Sequence, residues 1–229
     1  MAFLSDTIGI VGLVLQVLAL ILISRGPISR YFPLFLYLLT FTGSSAAEGW
    51  ILRTFGSRSP EYFNMYWGGE LLLDLLLFFL VISLTVRALE DSPLRPGIFK
   101  FLMVVLFATL TLPFVLFEGP FFAKQWNQSV TQLLNFGAAI MNLGLWTSLL
   151  MSKRRDPQLL TVSAGLGLAV AGSALTFGLR KFTWHDSDVL FVVSNFAHYF
   201  TQIGSLLIWC KAFWPARTRV QPIITASAS

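Results

Sequence analysis

The sequence predicts an all-α fold: a polytopic membrane bundle of seven transmembrane helices, N-terminus outside and C-terminus in the cytoplasm. Three observations lead there. Of 229 residues, 55% are hydrophobic and only 12% are charged, about half the charged share of a soluble domain. The apolar residues form continuous runs, not the alternating pattern of a membrane β-strand. Basic residues flank those runs instead of clustering on one face, which argues against nucleic acid as a partner despite a formal net charge of +5. With a mean hydropathy of +0.73, the chain has more apolar surface than a soluble fold of its size can hide, so its first partner is the lipid bilayer.

A helix needs about 20 mainly apolar residues to cross the hydrocarbon, and seven runs meet that need. The first, 7–24, has no Lys or Arg before it. Arg25 follows directly in place of an A-x-A-like cleavage site, so the run reads as a retained helix and not as a signal peptide. Arg25-Gly26-Pro27 breaks the chain before the second run, 31–52. Ser57-Arg58-Ser59-Pro60 precedes the third, 62–87, which at the helical rise is about 39 Å long and must tilt or protrude. Ser92-Pro93 and Arg95-Pro96-Gly97 introduce the fourth, 97–117. The fifth, 127–151, ends before Arg155-Asp156-Pro157; the sixth and seventh are 158–179 and 188–213. Residues 1–214 thus make one transmembrane domain, and the polar tail 215–229 reads as a short disordered cytoplasmic segment.

Orientation follows from the loops. Alternating the ends places Arg25, Arg30, Arg87, Arg95, Lys100, Lys153, Arg154, Arg155, Lys211, Arg217 and Arg219 on one side. Arg53, Arg58, Lys124, Arg180 and Lys181 fall on the other, a ratio of 11 to 5. The positive-inside rule makes the first side cytoplasmic. The single cysteine, Cys210, excludes an intrachain disulfide.

The two halves echo each other. Leu52-Arg53-Thr54-Phe55 ends the second run and Leu179-Arg180-Lys181-Phe182 the sixth; near the same offset Gln16 matches Asn142 and Glu70 matches His198. Runs 1–3 align on runs 5–7, with run 4 as a linker. Such a 3+1+3 parallel repeat is a transporter plan with its site at the repeat interface.

Ionisable groups within the hydrocarbon are costly and face a protein interior. Here they are Glu48 on helix 2, Glu70 and Asp74 on one face of helix 3, and His198 on helix 7. Helix 5 carries Gln128, Gln132, Asn135, Ala139, Asn142 and Trp146 at helical spacing, and helix 7 carries Asn195, His198, Gln202, Ser205 and Trp209. Each stripe is expected to look into the bundle. Glu48, Glu70, Asp74, Asn135, Asn195 and His198 are therefore the candidate ligand- or proton-binding residues, lining an outward-facing vestibule that ends at an adjacent Asp74–His198 pair. Three carboxylates against one histidine favour a small cation, an amine or protons. Tyr62, Phe63, Tyr66, Trp67, Trp126 and Trp184 are expected in the outer aromatic belt, and Trp209 and Trp214 in the inner one.

Cofactor motifs are missing: there is no P-loop, Rossmann fingerprint, Cys-x-x-Cys or haem site, and with only two histidines, His185 and His198, a zinc set is unsupported. Lys211, at the cytoplasmic end of helix 7, is misplaced for a retinal Schiff base, so the seven helices do not make a rhodopsin. Gly43-Ser44-Ser45-Ala46 with the distant Ala197-His198 resembles the Gly-x-Ser and Ala-His elements of rhomboid intramembrane proteases. The oxyanion-stabilising helix of that family has no counterpart, and Thr201 stands where it has glycine. Tyr31-Phe32-Pro33-Leu34-Phe35-Leu36-Tyr37 followed by Glu61-Tyr62-Phe63-Asn64-Met65-Tyr66-Trp67 resembles a pattern in uncharacterised bacterial membrane proteins, F-P-x-F-x-x-Y then Y-F-x-x-Y-W. That resemblance implies a seven-helix protein of the bacterial inner membrane and no activity. The 3+1+3 plan is similar to that of PQ-loop carriers in architecture alone, Pro157-Gln158 being the one Pro-Gln pair. Function is thus expected to be binding or transport of a small ligand. The alternative is a non-catalytic sensor or assembly subunit working through a protein partner or as a homo-oligomer, and a distant third is an intramembrane hydrolase.

Overall fold

The computed structural model describes residues 2–26, 28–56, 58–90, 95–116, 124–151, 156–183 and 188–214. The tail 215–229, His185 and Trp184 lie outside them. The described residues form seven α-helices and no strand: α1 (Ala2–Ser24), α2 (Phe32–Phe55), α3 (Pro60–Ala88), α4 (Arg95–Leu116), α5 (Lys124–Met151), α6 (Pro157–Thr183) and α7 (Asp188–Phe213), with a 3₁₀ turn at Ile28–Arg30. Their ends have local causes. Gly56, at φ +82°, takes a conformation L side chains rarely adopt and closes α2, its N–H donating to the Leu52 carbonyl at 3.1 Å. Ser59 Oγ accepts from Tyr62 N–H at 3.1 Å, and Pro60 opens α3. Asp156 Oδ1 accepts from the N–H groups of Gln158 and Leu159 at 3.0 and 3.2 Å, ahead of Pro157 at the start of α6.

Five helices, α1, α3, α4, α5 and α6, are long and apolar enough to cross a membrane. The other two carry polar residues through their middles: Thr40, Thr42, Ser44, Ser45 and Glu48 on α2, and Ser194, His198, Thr201, Gln202 and Ser205 on α7. Around the molecule α1 packs on α2, α2 on α3, α3 on α5, α5 on α6, α6 on α7, and α7 back on α1. Six helices close a ring, and α4 lies outside it against α5 and α3.

The α6–α7 seam is the most extensive contact, and glycines set its closeness. A Cβ on Gly172 would lie 2.0 Å from Thr201 Oγ1 and 2.4 Å from Thr201 Cβ; one on Gly165 would lie 2.5 Å from Trp209 Nε1; one on Gly204 would lie 2.8 Å from Leu168. Trp209, fully buried, donates from Nε1 to the Val162 carbonyl at 3.0 Å. Trp209 is therefore a core residue and not part of an interfacial belt. Trp126, also expected in the belt, is buried as well and meets Phe114 edge-on at 5.9 Å. Trp214 is exposed, as a belt residue should be.

The apolar core is unevenly placed. In α1, α2, α3 and α7 the large buried side chains gather toward the Arg30 end: Leu22 and Ile23, then Leu34, Tyr37 and Leu38, then Phe78, Leu80, Val81 and Leu84, then Leu206, Trp209 and Phe213. Toward the Gly56 end the described side chains of the same helices bury little beyond Ser44, Gly69 and Ser194, whereas those of α5 and α6 are buried along most of their lengths. The Arg30 end is also tied by polar contacts. Arg30 pairs with Asp156, Arg87 donates to the Arg30 carbonyl, and Gln158 Nε2 donates to the Ala212 carbonyl at 3.3 Å. The buried Tyr31 ring sits edge-on to Phe213 at 5.1 Å, beneath the guanidinium groups of Arg30 and Arg87 at 5.7 and 5.3 Å. These contacts join the starts of α2 and α6 to the ends of α3 and α7. Among the described residues the ring is thus packed and latched at one end and looser at the other.

Candidate functional site

Where the packed half gives way to the looser half, α2 and α3 approach closely enough that a Cβ on Gly69 would meet Ser44 Oγ at 3.4 Å and Glu48 Oε1 at 3.5 Å, ordinary contact distances. This seam brings the carboxylates together. Glu48 on α2 is within electrostatic reach of Glu70 on α3, and Glu70 of Asp74 one turn further along. Asp74 is only 6% exposed. Its side-chain partner is Asn135 on α5, whose amide also donates to the Thr131 carbonyl at 2.9 Å. Asp74 Oδ2 and Asn135 Oδ1 are both buried with no hydrogen-bond partner. Beneath them lies the buried Tyr37, within electrostatic reach of Glu70 and Asp74 and edge-on to Trp209 at 6.0 Å. Tyr37 is thus the floor of the cluster.

Sequence reasoning therefore brought Glu48, Glu70, Asp74 and Asn135 to one place. Asp74 meets Glu70, Asn135 and Tyr37, and its Oδ2 takes no hydrogen bond from the expected partner His198. The Asn195 side chain lies outside the described residues. Ser44, the first serine of the protease-like element, is turned to the α3 seam against Gly69 and Glu48.

The α5 stripe is rotated from its expected setting. Asn135 and Asn142 are buried, but Gln132, Ala139 and Trp146 are only half-buried, and the Gln128 side chain lies outside the described residues. Asn127 and Thr131, which complete a four-residue spacing with Asn135, are buried instead. Tyr37 was visible only as the last residue of a motif. Its signal is a phenol inside an apolar run, facing the acids one helix away.

Two features give the cluster its chemistry. For Glu48 and Asp74 the charged neighbours among the described residues are other carboxylates, with no Lys or Arg beside them. Of the unpartnered atoms, Asn135 Oδ1 only accepts, while Asp74 Oδ2 accepts when ionised and donates when protonated. Like charges held in a poorly hydrated place call for protons or a cation. Among the described residues no three His, Cys, Asp or Glu side chains come close enough to share a metal ion. No protein-family model matches the chain, and no curated protein or solved structure matches it either.

Proposed function

We propose that the protein is a seven-span transporter or binding protein of a bacterial inner membrane that takes a small cation, an amine or protons at the Glu48–Glu70–Asp74 cluster. The N-terminus is outside, so the looser Gly56 end forms an outward vestibule and the latched Arg30 end faces the cytoplasm, in keeping with the distribution of basic residues. One observation carries the reading: three acids share a seam without a Lys or Arg beside Glu48 or Asp74 among the described residues, and Asp74 is nearly inaccessible. Charge inside a membrane is expensive and is retained where function uses it.

The order of the ring supports the 3+1+3 repeat. Exchanging α1 with α5, α2 with α6 and α3 with α7 turns every neighbouring pair of the ring into another neighbouring pair and leaves α4 outside. Gln16 and Asn142, matched by that exchange, are both buried with side-chain oxygens that lack partners. A site at the interface of two such units, open to one side and latched at the other, fits alternating access.

Purified protein in liposomes on a solid-supported membrane should give a transient charge displacement on a pH step or an ammonium chloride step. Glu70→Gln and Asp74→Asn should abolish it in protein that remains folded. If both variants keep the wild-type signal, the polar faces serve helix packing alone, as in an assembly subunit, and the transport reading fails. Reporter fusions at the two termini test the orientation; opposite signals overturn it.

A further inference from the structure

Above the acids, at the Gly56 end, the first turns of α3 carry a run of aromatic side chains. Tyr62 stacks on Tyr66 with centroids 6.2 Å apart and planes at 26°; Tyr66 meets Trp67 edge-on at 5.2 Å; Phe63 lies 6.3 Å from Trp67. All four are half-buried. The helical spacing aligns them with the carboxylates, since Glu70 follows Tyr66 by four residues and Trp67 by three, and Asp74 follows Glu70 by four.

Tyr62 lies within electrostatic reach of Glu48 on α2 and of Tyr199 on α7. The ring order sets α3 beside α2 and α5, so Tyr62 reaches both a neighbouring helix and α7. The rings lie on the same helical face as Glu70 and Asp74 and, with Glu48, form the Gly56-end mouth of the α2–α3 seam. Further along that seam, the more than nine-tenths buried Asp74 and Asn135 carry the unpartnered oxygens Oδ2 and Oδ1.

We propose that this mouth recognises an organic ammonium ion, with Tyr62, Tyr66 and Trp67 supplying aromatic faces and Glu48 the counter-charge. The inference rests on the reading of the acid cluster as a cation site and names its ligand class. A metal ion needs several oxygen ligands at once, which the described acids do not assemble. An alkylated ammonium carries a diffuse, weakly hydrated charge that aromatic faces attract, and it needs one nearby carboxylate to balance it.

The test is calorimetric titration of the full-length protein in nanodiscs with tetraethylammonium chloride, with sodium chloride as the control. Tetraethylammonium should bind saturably and sodium should not. Glu48→Gln and Trp67→Leu should each weaken binding at least tenfold with unfolding midpoints near wild type, and Trp67→Phe should keep most of it. Binding unchanged in Glu48→Gln, sodium binding equally well, or no saturable heat would overturn the proposal. If tetraethylammonium fails while charge displacement still depends on Asp74, this inference falls and the transport reading stands. If both fail, both fall.

Discussion

The α6–α7 seam is closed by three glycines that have no room for a methyl group, and polar bonds cross it from Trp209 to the Val162 carbonyl, from Gln158 to the Ala212 carbonyl and from Thr176 to the Ser194 carbonyl. The α2–α3 seam occupies the matching place in the other half of the ring. It has one close glycine with room for a methyl, and it spends its polar residues on carboxylates that face each other. In a membrane, where lipid is as apolar as leucine, helices gain by close packing more than by burial. The first seam follows that rule and the second departs from it. The comparison sets a close-packed seam, α6–α7, against a carboxylate-bearing one, α2–α3.

The same substitution in the two seams should break this symmetry most strongly. Gly172→Ala drives a methyl into Thr201, a short β-branched side chain that cannot swing away, and should cost about 1–3 kcal/mol. Thermal unfolding in detergent reads the loss. Trp209→Phe removes the donor to Val162 and should cost about 0.5–1.5 kcal/mol from the hydrogen bond alone; an unchanged midpoint would show that the indole is only a filler. Arg30→Gln cuts the ion pair joining the starts of α2 and α6. Its side chains are 40% and 28% exposed, so the change should be small, about 0.2–1 kcal/mol, and smaller still at high salt. Gly69→Ala should fall within about 0.5 kcal/mol of wild type, because the added methyl meets Ser44 and Glu48 at ordinary distances. Equal penalties at Gly69 and Gly172 would dissolve the distinction between the seams.

Much of the fold was legible because the signals are local. Long apolar runs interrupted by Gly56, Ser59-Pro60 and Asp156-Pro157 state where helices stop and start. The approach of Glu48 to the Glu70–Asp74 face was legible too, since inward-facing polar residues on neighbouring helices have few other places to go. The rest depended on which helices meet and at what height. Trp209 has the composition and position of a belt residue, and only the nearness of the Val162 carbonyl across the seam makes it a core residue. On α5 the stripe is buried only at Asn135 and Asn142 among its described side chains. Asn127 and Thr131 share a four-residue rhythm with Asn135, and that rhythm could have set the face correctly.

The central claim is that the α2–α3 carboxylates are kept for function and not for packing, and the thermal unfolding midpoint of Asp74→Asn tests it most directly. The substitution keeps the size of the side chain and removes a buried acid whose charged neighbour is another acid. Because such a charge burdens the fold unless it is compensated, the variant should unfold at the wild-type temperature or above it while losing charge displacement. A midpoint well below wild type, with charge displacement intact, would make Asp74 a structural residue and contradict the account.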